Sequence, residues 1–325
     1  MKTPFPSTSC ISECVLCGAS EAHPIESIDR HGQPLQVVIC GGCGVVHNHP
    51  IPSAEELSRF YSEEYRASYK GTREPKLRHA ARYFPAAARH IQHHWKHYQH
   101  VKQVLDIGSG SGEFLYLMRT LDKQTMGLEP TRDYAHFCRT RLGLDITTGE
   151  IDSFVPDLAY DHIRLCHVVE HLRDPVSNLR RISQWLCDTG TLYVEVPDFE
   201  RYCRIKTPGR IFHYGHIYNF DHDTFEYLIA KAGLEIVERA GPTAAFLRRA
   251  HQPVPATTTP GWPVQDKINF YRHHREGRLR TSTRMARCLA KVVKISKEHL
   301  AIARKPDHLT LANRAAAALR KMVLP

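Results

Sequence analysis

The run Val104-Leu105-Asp106-Ile107-Gly108-Ser109-Gly110-Ser111-Gly112-Glu113-Phe114 constrains this 325-residue chain more than any other stretch. Three apolar residues and an acid make a short buried strand, and the small residues after it force a tight turn that opens into a helix over 112–121. Glycines at such a turn let a ligand's polar end lie against bare backbone near the positive end of the helix. They stand at 108, 110 and 112, and position 113 is Glu113, so the third glycine of the dinucleotide fingerprint G-x-G-x-x-G is missing.

The next elements follow in a regular order. Met126-Gly127-Leu128-Glu129 reads as a second strand ending in an acid. Pro130 and Thr131 open a helix that stops at Gly143, and 144–148 is a third strand. The fourth, 161–166, runs into His167-Val168-Val169-Glu170-His171-Leu172-Arg173-Asp174-Pro175, where Asp174 is an N-cap and Pro175 the first helical residue. Gly190 closes that helix, 191–197 is strand five, and a helix over 221–232 precedes an antiparallel hairpin at 234–240 and 243–248.

With Asp106 two residues before the first glycine, this set, spanning about 101–250, resembles the class I S-adenosylmethionine-dependent methyltransferases. The resemblance implies an α/β fold with a Rossmann-like seven-stranded sheet. It implies a cofactor whose methionine end is cradled by Asp106, Gly108, Ser109, Gly110 and Gly112, and whose ribose hydroxyls meet Glu129, with Pro130 beside it. Glu150 and Ile151, at the end of the third strand, fall where related enzymes touch the adenine, and His167 falls at the end of the fourth.

Cys14-Val15-Leu16-Cys17-Gly18 and Cys40-Gly41-Gly42-Cys43-Gly44 enclose 22 residues with two strand-like runs. Each C-x-x-C followed by glycine makes a knuckle, and two knuckles supply the four thiolates of a tetrahedral zinc site. Residues 1–50 are therefore a zinc ribbon, with Cys14, Cys17, Cys40 and Cys43 as ligands and the metal structural; His47 and His49 lie close behind as substitutes for one cysteine. The other six cysteines are scattered, which excludes a disulfide framework. Residues 51–100 read as a helical lid and linker, beginning with an N-cap at Ser53. Methyltransferases with such a zinc module carry a similar tyrosine-rich segment folded over the cofactor, which here implies a contact from Tyr69. The histidines of 75–100 read as the solvated side of a helix.

The net charge of +10 is unevenly placed: 267–325 holds 15 Lys/Arg against Glu276, Glu298 and Asp307. Residues 251–325 therefore form a Pro/Thr linker and a basic helical tail, in which Met285, Leu289, Val292, Ser296 and Leu300 recur at helical spacing. Such a helix suits packing on its own domain, a dimer mate or an anionic membrane surface; it lacks the aromatic series of a single-strand nucleic-acid binder. No apolar run approaches a membrane span, and the start of the chain does not read as a signal peptide, so the expectation is a cytoplasmic protein, at most peripheral at a membrane.

Methyl transfer to a hydroxyl needs alignment and a proton acceptor. His171, on a strand-end loop, is the leading base, and His216, in the insertion around Phe212-His213-Tyr214-Gly215-His216, is second. The expected reaction is O-methylation of a small-molecule, sugar or glycan acceptor. C-methylation of a deoxysugar is an alternative, as is metal-assisted 2′-O-methylation through His167, Glu170 and His171. A non-enzymatic zinc-ribbon adaptor that binds nucleic acid through its tail is the reading from a different class.

Overall fold

Strands and helices arise largely where hydrophobic periodicity and capping residues place them. The computed structural model describes residues 9–10, 13–60, 74–206, 210–252, 261–276, 281–303 and 306–324. Tyr69 and the tyrosine-rich segment after Phe60 lie outside the described residues.

In chain order the strands are β1 (Ser9–Cys10), β2 (Glu21–Ile28), β3 (Pro34–Cys40), β4 (Val46–Asn48), β5 (Gln103–Ile107), β6 (Gln124–Glu129), β7 (Ile146–Thr148), β8 (Tyr160–Cys166), β9 (Leu186–Glu195), β10 (Tyr218–Asn219), β11 (Leu234–Gly241) and β12 (Ala244–Arg249). The helices are α1 (Ala54–Arg59), α2 (Leu77–His93), α3 (Glu113–Thr120), α4 (Arg132–Leu142), α5 (Pro175–Ser183), α6 (Phe199–Ile205), α7 (His222–Lys231), α8 (Val264–Glu276), α9 (Thr281–Ile302) and α10 (His308–Val323). One sheet has the order β1-β2-β3-β4-β10; the other, seven-stranded, runs β11-β12-β9-β8-β5-β6-β7. In the latter β8, β5, β6 and β7 are parallel, and β11 and β12 form an antiparallel hairpin at one edge. This is the expected Rossmann-like sheet.

Two compact units make up the chain: Met1–Phe60, Cys166–Gln184 and Leu192–Leu279 in one, Tyr61–Leu165, Trp185–Thr191 and Arg280–Pro325 in the other. In the first, β2, β3 and β4 pack with α6 and α8 around Ile25, Val37, Ile39, Val46, Phe199, Phe212, Ile268 and Tyr271. Lys267, fully buried, holds this unit together by charge: its Nζ lies 2.5 Å from Asp221 Oδ2 and donates to Gly44 O at 2.8 Å. An ammonium taken out of water requires such an opposite charge and acceptor beside it.

In the second unit β5 presents Val104, Leu105 and Ile107 as buried residues, the pattern of a parallel strand covered on both faces. Helix α10 buries Leu311, Ala312, Ala315, Ala316 and Leu319 and packs on α2 and α3. This part of the tail thus packs on its own unit; truncating the fully buried Leu319 would cost about 2–5 kcal/mol. Helix α9 instead leaves Leu289, Val292 and Leu300 exposed beside Lys291, Lys294 and Lys297.

Two expectations are corrected. The histidines of 75–100 are not all on a solvated side: α2 buries Ala80, Phe84, Ala88 and Ile91, and His94 continues that stripe three residues on and is itself buried. His90 Nε2 is 2.8 Å from the hydroxyl of buried Tyr98. Gly190 does not end a helix. Helix α5 stops at Ser183, and Gly190 lies inside β9, where a Cβ would sit 2.8 Å from Tyr160 O; glycine is there because two backbones approach closely.

Candidate active site

The turn after β5 is built from glycine conformations. Gly108, Gly110 and Gly112 all have positive φ, +68°, +55° and +79°, and Gly112 caps α3. A Cβ on Gly112 would strike Leu144 at 2.6 Å, so this glycine serves packing; one on Gly110 would find only Gly108 O, at 3.9 Å, so the tip faces open space. β5 pairs with both β6 and β8, Ile107 lying opposite Leu128 and Leu165, which puts the turn at the carboxyl ends of the central parallel strands.

Carboxylates surround this turn. Glu129, at the end of β6, accepts from Gly110 N at 2.9 Å through Oε2 and from Thr131 N at 3.0 Å through Oε1. Asp106 is buried; Oδ1 accepts from Arg164 Nη1 at 2.9 Å, and Oδ2 has no hydrogen-bond partner. Glu113 accepts from Ser111 Oγ at 2.7 Å. Burial pushes the Asp106 and Glu113 carboxyls up, opposed by Arg164 for the first and Ser111 for the second. Burial, followed by the charges of Glu113, Glu129 and Asp106, raises the Cys138 thiol too. A pyrophosphate would meet these anions, and the loop amide it requires is already given to Glu129. The turn suits a ligand with positive charge and hydroxyl donors.

Nearby, Gly149 N donates to Glu129 O at 3.2 Å, and a single tight turn covers Ile151–Ser153. Ile151 is buried, whereas Glu150 and Pro130 are exposed. Gly149, just before that turn, and Ser153, its last residue, line a cavity of about 320 Å³ with Leu128, Phe154 and Tyr160.

The second cluster lies in the other unit, on the loop that leaves β8. His167 adopts φ +58°, a conformation that costs a non-glycine residue about 1 kcal/mol or more, and its N–H donates to Glu195 O at 2.8 Å. Glu170 is 1 % exposed. Around its Oε1 stand His167 Nδ1 at 3.5 Å, His171 Nε2 at 3.7 Å and His216 Nε2 at 3.9 Å. His171 Nδ1 donates to Gly215 O at 2.5 Å, tying the β8 loop to the insertion. His216 N donates to His213 O at 3.1 Å, and the two rings lie 3.8 Å apart between centroids. Burial pushes His213 down to about 2, helped by Arg30, and pushes His216 well below its ordinary value, helped by His171.

The structure thus brings His167, His171 and His216 together. It adds Glu195, whose Oε2 accepts from Tyr193 OH at 2.6 Å and whose Oε1 is 3.9 Å from His167 Nε2. Glu195 escaped the sequence reading although, like Glu129, it is an acid closing a parallel strand's neighbour; that position was the available signal.

The four cysteines of the N-terminal pairs also converge. Cys14 and Cys43 sulfurs are 3.8 Å apart and Cys17 and Cys40 3.5 Å, close to the edge of a tetrahedron with metal–sulfur bonds of about 2.3 Å. Gly18 N and Gly44 N close the knuckles onto Cys14 O and Cys40 O, both glycines at positive φ. His47 is buried with Nδ1 2.9 Å from Asn48 O and is outside the four-sulfur group.

A family model described as a methyltransferase domain matches residues 77–239, half of the chain. The chain belongs to the S-adenosylmethionine-dependent methyltransferases. Among solved structures, this methyltransferase is similar to DesVI of Streptomyces venezuelae at 17 % identity and TM-score 0.42, over 51 % of this chain and 92 % of that one. It is similar to the mitomycin 7-O-methyltransferase MmcR at 19 % and 0.47, over 60 % of each chain. A third is an O-methyltransferase family protein from Burkholderia thailandensis, at 14 % and 0.44, over 60 % of this chain and 64 % of that one. No curated protein matches the methyltransferase. Among its described residues no helix is long and apolar enough to cross a membrane.

Proposed function

We propose that this methyltransferase transfers the methyl group of S-adenosylmethionine to a hydroxyl of a small-molecule, sugar or glycan acceptor. The observation that carries the cofactor assignment is the ring of carboxylates, Asp106, Glu113 and Glu129, around a glycine turn whose tip is open. These residues fit a cofactor that bears a sulfonium, an ammonium and two ribose hydroxyls. Asp106 and the turn residues Gly108, Ser109, Gly110 and Gly112 would hold the methionine end, with Asp106 Oδ2 as an acceptor still lacking a donor. Glu129, with Pro130 beside it, would grip the ribose, and Glu150 and Ile151 would border the adenine. The bound cofactor supplies an electrophilic methyl: a C–O bond forms as the C–S bond breaks, the pair remaining on sulfur.

We assign the acceptor's proton to the histidine cluster on the β8 loop, with His171 its central residue and His216 second. Support comes from the number of imidazoles converging on one buried carboxylate. Calorimetric titration with S-adenosylmethionine tests the cofactor assignment. Mass analysis of an extract incubated with isotopically labelled cofactor tests the acceptor class, and a product bearing a new C-methyl group would replace O- by C-methylation.

The four-cysteine cluster is read as a structural zinc site, since thiolates at this spacing close a tetrahedron with no open position. Removing zinc by a chelator is expected to unfold the N-terminal knuckles. The exposed apolar and lysine residues of α9 support docking on an anionic membrane surface. Sedimentation with vesicles of anionic and of neutral lipid checks this; equal binding to both would contradict it.

A further inference from the structure

The chemistry assigned to the glycine turn leaves Arg164 unused. It stands on β8 between Ile163 and Leu165, both fully buried, where a central parallel strand ordinarily carries apolar residues throughout. In the parallel register it lies opposite Asp106 of β5, and its Nη1 donates to Asp106 Oδ1 at 2.9 Å. Asp106 is 1 % exposed, and its Oδ2 has no hydrogen-bond partner. The guanidinium carbon also lies 4.6 Å from the centre of the ring of Phe114, a buried residue of the first turn of α3. A carboxylate on one side and an aromatic face on another fix the guanidinium, so its charge acts on Asp106 from a set place.

The other groups that face this pair are either acids or neutral. Glu113 on α3, like Asp106, has its carboxyl pushed up by burial and drawn back in part by Arg164. Glu129 on β6 accepts two backbone amides. The Cys138 thiol on α4 is raised by burial and then by Glu113, Glu129 and Asp106, and stays uncharged. Burial, then Arg164, holds His90 of α2 at about 2 and His162 of β8 at about 3. Above about pH 4 both imidazoles are therefore neutral, and the compensation of Asp106 comes from the guanidinium.

We propose that Arg164 is a positioning residue for the cofactor: its guanidinium keeps Asp106 a carboxylate, with Oδ1 taken and Oδ2 left for the incoming ligand. The consequence for binding, though not the pairing, rests on the cofactor reading. A carboxylate only accepts, as the ammonium of S-adenosylmethionine requires, whereas a carboxylic acid puts a hydrogen where an acceptor is needed. Without the guanidinium, burial favours the acid. Cofactor affinity is full while Asp106 is ionised and falls as it takes up a proton. Removing Arg164 therefore moves that fall to higher pH.

Calorimetric titration with S-adenosylmethionine from about pH 5 to 9 compares the wild type, Arg164→Gln and Arg164→Lys. Carbon-13 NMR follows the Asp106 carboxyl in the same proteins, assigned by its loss in Asp106→Asn. In Arg164→Gln both the acid fall in affinity and the NMR midpoint should rise by about one pH unit or more, with Arg164→Lys between it and the wild type. An affinity lowered equally at every pH, with the NMR midpoint unmoved, makes Arg164 merely structural and overturns the proposal. Should Arg164→Gln fail to fold, the wild type decides: a carboxylate signal for Asp106 at about pH 7 is expected, and a carboxylic acid signal overturns the proposal. If the wild type binds no cofactor, the cofactor reading falls and the NMR midpoint alone judges the pairing. A rise in Arg164→Gln keeps it, and an unmoved midpoint removes it.

Discussion

Glu129 and Glu170 are both buried carboxylates in polar clusters, and they sit in opposite circumstances. Each oxygen of Glu129 accepts a backbone amide, whereas neither oxygen of Glu170 has any donor. The first acid belongs to a finished cradle: it shapes the glycine turn before a ligand arrives. The second belongs to a cluster that is electrostatically incomplete, which is characteristic of groups kept for chemistry and not for stability.

If that contrast is right, the largest effect comes from the unfinished cluster. His171→Ala should lower transfer of labelled methyl groups by about 10²–10⁴-fold while leaving S-adenosylmethionine affinity unchanged; turnover at the wild-type rate would assign deprotonation elsewhere. In the finished cradle, Glu129→Ala removes two charge-assisted hydrogen bonds, and the cofactor affinity should fall by about 30-fold or more, equivalent to about 2 kcal/mol. Glu170→Gln should leave that affinity within twofold, and calorimetry that finds the two variants alike would erase the distinction.

Stability should respond in the reverse sense. Glu170→Gln replaces a buried carboxyl group that has no hydrogen-bond partner by a neutral amide, so the protein should gain about 1–3 kcal/mol in urea unfolding. A loss would mean that the carboxylate is already satisfied.

How much of this was legible in the sequence follows the range of the interactions. The glycine turn, Asp106 and Glu129 lie in two consecutive strand ends, and their spacing alone placed them. The cap at Asp174, which accepts from Ser177 N at 2.9 Å, and the hairpin at the sheet edge are local in the same way. The neighbours of Glu170 were harder to see, because Gly215 and His216 come from 45 or more residues along the chain. Arg164 on Asp106 depends on the pairing of β5 with β8, which no periodicity encodes, whereas Tyr193 and Glu195 stand two apart on β9 and share a face by strand alternation. β10, two residues long, exists because β4 pairs with it and carries no pattern of its own.

Acid titration compares the units by their buried histidines. Burial, then Arg164, holds His162 at about 3 in the second unit, and burial, then Arg30, holds His213 at about 2 in the first. Unfolding releases each to near 6.5, so below that pH the unfolded chain binds more protons. Stability is full above about pH 6.5 and is lost as pH falls toward the folded values, by about 1.4 kcal/mol per unit for each histidine. His162→Gln should flatten the slope between about pH 6 and 4 by that amount; an unchanged slope in urea unfolding would show that His162 is not held neutral.

The most direct measurement is calorimetric titration of the zinc-replete protein with S-adenosylmethionine, beside the Glu129→Ala variant. One equivalent bound by the wild type, with binding sharply weakened in the variant, is the expected result. No binding by either, or binding of a nicotinamide dinucleotide in its place, would contradict the claim that the acidic glycine turn holds a sulfonium cofactor.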